Sequence, residues 1–488
     1  MQRREFVSYL VAAACDCGLA MAAPAPVRGK ASGATGGVPA WAPAPGEIRN
    51  VSYAPRMHPL GAGATLAEID PKYQAWNPEA PRQGPYKATE YYWGSVNGYS
   101  GICWNTDTRQ LVNYGAGHAS INVCAPFCFD LNDLRWKWLD TPLPFDGYGR
   151  VRTAGGISEP PPQSAIDRLY PNGEIDYSWG ELNGDSPGWE AQYGRGPWLR
   201  PGKIQPIPGH TRNVLGHVPA SIMGNGKGGL FKFGSASGVL GGTHSIGSHI
   251  FDHDTATWRR TANQPPNFRG STTAQSTIVD AQTGTVIHYG GGQQFKVFDF
   301  STDAWRPMQV ASNAVEGSTD AGNVLALPPG RLLVAAFARD QAGRAAYYNG
   351  KTFVFCAVDI DAVVGKGIFS LTTLSVDARA WPLNSAGNNT GIGWGFCPEN
   401  ASFYCVNGEH QSPGYWRLAP PAGATRQSHY LSGTWTLTQH SFVSGTLSSP
   451  GHRSWVFNRL SWDPASRSFL WFPDDVNGPV QAFRPAEV

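Results

Sequence analysis

Histidines and arginines recur in this 488-residue chain beside glycine turns and just ahead of apolar runs. His118 follows Gly115-Ala116-Gly117, His244 closes the stretch 235–244, and His410 follows Gly408-Glu409, while Arg212, His217, Arg269, Arg453 and Arg459 precede strand-like segments. An imidazole takes a proton near neutral pH, and a guanidinium holds a carboxylate through two parallel hydrogen bonds. Together they form the inventory for β-elimination at a uronic acid. His118 or His217 would remove the C5 proton, and Arg269 or Arg453 would neutralise the carboxylate. Tyr99, Arg212, His244, Gln293, His410, Arg459 and Asp474 would bind the rest of an acidic or hydroxyl-rich ligand, and Trp179 and Trp189 would add stacking surface. The same residues without turnover describe a glycan- or protein-binding surface. Glu409 with Asp474 or Asp475 would be a hydrolytic pair.

Residues so far apart in sequence need a scaffold that gathers them, and an internal repeat supplies one. Residues 104–117 align without a gap to 279–292. The shared pattern is a turn residue, a large apolar residue, an aromatic and then Gly: Asn105, Leu111, Tyr114, Gly115; Asp280, Val286, Tyr289, Gly290; Gly224, Leu230, Phe233, Gly234. Weaker copies begin at Pro398, at Asp463 and near Leu327. A second signature follows in three repeats: Phe129-Asp130 with Trp136, Phe251-Asp252 with Trp258, and Phe298-Asp299 with Trp305. Asp130, Asp252 and Asp299 read as turn caps and the three tryptophans as core. Each repeat is thus four antiparallel strands that cannot bury both faces alone, so they must stack around an axis.

The glycine run after an aromatic strand, with Trp downstream, resembles kelch repeats and the galactose oxidase-like β-propellers, over roughly residues 86–488. The resemblance implies an all-β fold, a single propeller of six or seven four-stranded blades, and leaves function open among oxidases, lyases and binding proteins. Its copper radical oxidases need two tyrosines, two histidines and a cysteine beside one tyrosine; no cysteine is placed with the adjacent pair His429-Tyr430, so this set is not assembled. Residues 146–208 read as an insertion rather than a seventh blade, and a strand from residues 48–80 should complete the last blade. With the turns at Asn105, Asp280 and Asp463 at the lower end, the loops after the glycines and the linkers into each new blade gather at the upper end, with the candidate site residues.

Composition agrees: 59 Gly, 39 Pro, 18 Trp, 18 Tyr and 22 Phe against 15% charged residues suit many short strands and tight turns. A net charge of +2 without a basic run lacks the footprint of a nucleic-acid binder. No long apolar stretch follows the N-terminus, so no membrane span is expected. Residues 1–23, with Arg3-Arg4 ahead of an apolar stretch, read as a twin-arginine-like export signal; 24–47 read as a flexible linker and 48–488 as the propeller. A periplasmic or secreted monomer is expected, with a glycan as its partner and its cofactor, if any, unknown. In that oxidising setting disulfides are expected, Cys397–Cys405 first and Cys124–Cys128 second, and zinc-type spacing is absent.

Overall fold

Turn chemistry sets where the strands stop. The Asn105 carboxamide oxygen accepts hydrogen bonds from the amides of Asp107 and Thr108 (2.9 and 3.1 Å), and the Asp463 carboxylate from that of Ser466 (3.1 Å). Asp130 does the same for Asn132 (2.8 Å), Asp252 for Asp254 and Thr255 (2.8 and 3.0 Å), and Asp299 for Ser301 (2.9 Å), so all three act as turn caps. Each side chain satisfies amides that a tight turn would strand. The turns then close on a residue in the left-handed region: Arg109, Gly284 and Arg467 in the first class, Leu134, Ala256 and Asp303 in the second.

A computed structural model describes residues 38–52, 102–114, 126–140, 175–176, 181–183, 204–206, 215–233, 247–264, 276–290, 294–306, 309–310, 318–327, 330–339, 352–366, 370–378, 392–407, 414–447, 460–471 and 480–488. After β1 (Ile48–Ser52), blade 1 contains β2 (Cys103–Asn105), β3 (Gln110–Asn113), β4 (Phe127–Asp130) and β5 (Arg135–Trp138). A small sheet of β6 (Ile175–Asp176), β7 (Glu181–Asn183) and β8 (Ile204–Pro206) follows. Blade 2 is β9 (Leu215–Val218), β10 (Gly229–Lys232), β11 (His249–Asp252) and β12 (Thr257–Arg260), with the short α1 (Ala220–Met223) in its first turn. Blade 3 is β13 (Ser276–Val279), β14 (Val286–Gly290), β15 (Gln294–Asp299) and β16 (Ala304–Trp305), with β17 (Gln309–Val310) also on β15. Blade 4 is β18 (Ser318–Leu327), β19 (Gly330–Arg339), β20 (Thr352–Asp359), α2 (Ile360–Lys366) and β21 (Thr372–Thr373). Blade 5 adds the parallel edge strand β22 (Ser375–Ala378) to β23 (Ile392–Cys397), β24 (Ser402–Asn407), β25 (Gly414–Ala419), α3 (Gln427–Ser432) and β26 (Thr434–Ser441). Blade 6 is β27 (Leu460–Asp463), β28 (Ser468–Trp471) and β29 (Val480–Phe483).

The first strands of successive blades touch in the order β2, β9, β13, β18, β23, β27 and back to β2. The chain is a six-bladed β-propeller. The strand expected to complete the last blade is β1, which pairs antiparallel with β29 (Ile48 opposite Phe483). Blade 1 meets blade 2 directly, so residues 146–208 do not form a seventh blade; their described part is the three-stranded sheet, held where the Tyr114 hydroxyl donates to the Pro206 carbonyl. Ahead of β1, Ala42 is buried and the Gly46 amide donates to the Arg484 carbonyl (2.8 Å).

The Phe-Asp and Trp signature is a cross-strand pair. Phe129 lies opposite Trp136, Phe251 opposite Trp258 and Phe298 opposite Trp305. Trp258 packs on Tyr114 of blade 1 (4.8 Å between ring centres) and Trp305 on Phe233 of blade 2 (5.3 Å), so these indoles fill the seams between sheets. Six buried apolar clusters correspond to the six seams. Burying each such aromatic contributes roughly 2–3 kcal/mol, so ring closure is driven chiefly by the seams.

The expected disulfide between Cys397 and Cys405 does not form. Cys405 lies opposite Trp394 and Cys397 opposite Ser402, so the two thiols are on opposite faces of one sheet, in the seams toward blades 4 and 6 respectively. No rotamer bridges that separation. Cys124 lies outside the described residues, and Cys128 is a buried thiol. Among the described residues no helix is long and apolar enough to cross a membrane.

Candidate functional site

Strand alternation sends the described first and third turns of every blade to the lower end and the remaining connections to the upper end. Of the residues singled out in the sequence, His118, Tyr99, Arg212, His244, Arg269, Gln293, His410, Arg453, Arg459 and Asp474 lie outside the described residues, as do Glu409 and Asp475. His217 is described, and its place differs from the upper loop expected for it. It belongs to β9, near the lower end, and its Nε2 lies 3.1 Å from Asp107 Oδ2 of blade 1. The strand simply starts earlier than the sequence pattern indicates, so His217 is an inward residue of the seam. His429 and Tyr430 are also at the lower end, on α3, where Arg426 donates to His429 (2.7 Å) and Tyr430 packs on Trp435.

The lower end is a ring of cross-links. Polar pairs join blades 1 and 2 (Asp107 with His217), 2 and 3 (Arg259–Asp303, 2.6 Å), 3 and 4 (Arg331–Asp280), 5 and 6 (Arg467–Glu399, 2.8 Å), and 6 and 1 (Arg109–Asp463, 2.8 Å). The exposed pairs contribute at most about 1 kcal/mol each. The Asp280 and Asp463 carboxylates are buried and contribute more, because each would otherwise be a desolvated charge. Burial by itself would raise the Asp107 carboxyl, but His217 and the Ala220 amide (2.8 Å) outweigh it and hold it below its ordinary 3.8. That cross-link therefore stabilises the fold above pH 3.8 and is lost as pH falls below it. Asp107→Asn is expected to cost about 1 kcal/mol in a guanidinium titration while leaving any glycan activity intact. A tenfold loss of activity would instead put this seam in the site.

Sequence reasoning passed over a second set of groups, at the upper ends and along the seams of blade 2. Lys232 ends β10 with its side chain wholly buried, and Nζ meets the Phe233 carbonyl at 3.5 Å. Burial pushes this ammonium down to about 7. His249 and Arg260 stand in register beside it on β11 and β12. In the next seam, the buried His288 stacks face-on against Phe233 (3.5 Å between ring centres), with Nδ1 3.0 Å from Thr277 Oγ1. Lys296, opposite it on β15, places Nζ 5.5 Å from the same ring, and burial moves this lysine to about 8. A lysine inside Phe231-Lys232-Phe233 and another inside Phe295-Lys296-Val297 were the visible signal: a charge at a position where both sheet faces are covered.

No protein-family model matches the sequence, and no curated protein matches it. Among solved structures, a chain of Kuenenia stuttgartiensis hydrazine synthase aligns over 83% of this chain and 99% of its own at 11% identity, with a TM-score of 0.39. Likeness at that level carries no functional argument, so chemistry rests on the residues.

The buried charges of the described chain are unevenly placed along the axis of the ring, with Arg331 the buried cation paired to Asp280 at the lower end. The buried carboxylates Asp130, Asp280 and Asp463 are all at the lower turns, and the buried lysines 232 and 296 are in the upper halves of their strands. Among the described residues no cluster of three His, Cys, Asp or Glu side chains could hold a metal ion.

Proposed function

We propose that this protein is an exported, monomeric propeller that meets an acidic glycan on its upper face and cleaves it by β-elimination at a uronate. The two buried lysines in the upper halves of their strands support this reading: each, when protonated, adds positive potential toward the upper face, whereas the buried carboxylates at the lower end are paired with Arg331, Arg109 and Lys137. With His217 tied to Asp107 at the lower end, the base is His118, and Arg269 or Arg453 faces the uronate carboxylate. The base takes the C5 proton, the electron pair forms the new double bond, and the C4–O bond breaks as the leaving oxygen takes up a proton. The guanidinium acidifies that C–H by neutralising the carboxylate.

The test offers uronate polymers and neutral glycans separately to the purified protein and follows unsaturated-sugar absorbance. Product is expected from at least one uronate polymer, and His118→Ala is expected to lower its rate by about 10²–10⁴-fold. Tight binding without product would make the protein a glycan-binding module. Neither binding nor product with any acidic glycan would remove the proposal.

A further inference from the structure

Five buried bases line the two seams of blade 2. Toward blade 1 lie Lys232 and, in register with it, His249 above, and His253 below; toward blade 3 lie His288 and Lys296. Lys232 shares its row with His249 and Arg260 and faces Cys103, Cys128 and Tyr114 of blade 1, where Lys137, in register with Cys128, is held by Asp130 and Asp133 (2.9 and 2.6 Å). Among the described residues no carboxylate shares that row. His253 faces Asn105 (3.5 Å), with His217, Asp107, Asp252 and Lys227 as the charged or titratable groups around it. His288 and Lys296 face each other, Thr277 and the Phe233 ring. Lys232 and Phe233 are consecutive, so the end of one strand anchors both seams.

We propose that blade 2 is the acid-labile segment of the ring, parting from blades 1 and 3 when the bases along its seams take up protons, while the other seams hold. A protonated base in these apolar seams must regain water, and separating the sheets is the route to it. The direction follows from each group's shift. Burial lowers Lys232 from 10.5 to about 7 and Lys296 from 10.5 to about 8; burial and then His217 lower His253 from 6.5 to about 4; burial carries His288 well below 6.5. For each, the stabilisation of the closed ring is complete above the ordinary value and is lost as pH falls toward the lowered one. The carboxylates Asp107, Asp130, Asp252 and Asp299 titrate below 3.8 and do not offset this.

The native cysteines report the seams separately. Cys103 and Cys128 lie between blades 1 and 2, Cys356 between 3 and 4, Cys405 between 4 and 5, and Cys397 between 5 and 6. Pulsed thiol labelling of the full chain with peptide mass spectrometry, each rate normalised to the denatured chain at the same pH, compares them. From pH 10 to pH 8 the labelling of Cys103 and Cys128 relative to Cys397 and Cys405 is expected to rise at least tenfold per pH unit, because Lys232 takes up one proton on opening and Lys296 adds to it. In Lys232→Met the rise should be shallower by about tenfold per pH unit, leaving only the share that Lys296 contributes. A flat ratio in the wild-type protein, all cysteines rising in step, or an undiminished rise in K232M would each overturn the proposal, and the wild-type ratio decides without any variant having to fold.

Discussion

Asp280→Ala is expected to lower stability by about 3 kcal/mol, read as a shift of the guanidinium midpoint at unchanged slope. Asp280 directly follows the first strand of blade 3 and is buried, accepting from the Gln282 amide (3.3 Å), the Thr283 hydroxyl and the Arg331 guanidinium. Arg331 comes from blade 4, is itself buried, and keeps only the exposed Asp361 (2.8 Å) once Asp280 is gone. The loss therefore combines a stranded cation with an uncapped turn. Combining Asp280→Ala with Arg331→Met should cost less than adding the single effects, because the second change removes the stranded charge. A cost of the single substitution below about 1 kcal/mol would show that water reaches Arg331 and that this seam is not sealed.

Lys232→Met should act in the opposite direction, raising stability by about 2–4 kcal/mol at pH 7. Moving the ammonium's titration from 10.5 to about 7 sets an upper bound near 5 kcal/mol, which relaxation around a buried lysine reduces. Methionine fills similar volume and needs no hydrogen bond. The sign is fixed by linkage: the wild-type fold favours the neutral amine, so its stability climbs from pH 7 to 10.5, and the advantage of the variant shrinks over the same interval. Denaturation midpoints of both proteins at several pH values measure this. A gain that does not change with pH would mean that methionine improves packing only, and no gain at pH 7 would mean that Lys232 finds water in the native ring.

The blade pattern was legible because its determinants are local. Asn105 or Asp463 followed by a left-handed residue, and Phe251-Asp252 followed by Trp258, write a strand, its stop and its return within ten or so residues, with chemistry that needs no distant partner. Side-chain alternation then showed that two-sided sheets must stack, and the missing strand of the last blade followed from counting. His217 was misplaced for a related reason: the start of β9 is set by pairing with β10, and nothing in Leu215-Gly216-His217 alone marks it as strand rather than loop. Cys397 and Cys405 looked like partners across a turn, but the register opposite Trp394 and Ser402 turned them to different seams.

By itself, then, the sequence determined the strands and their turns, because these depend on side chain and backbone groups close together in the chain, and counting strands gave the closing of the last blade by the first segment; six blades rather than seven was decided by the contact of β2 with β9. Tertiary structure alone decided which charges face each other across seams: Arg331 on Asp280, Asp107 on His217, and Lys232 and His288 on either side of blade 2. Those pairings join residues tens to hundreds of positions apart, and their energies come from desolvation that exists only once neighbouring sheets have closed over them.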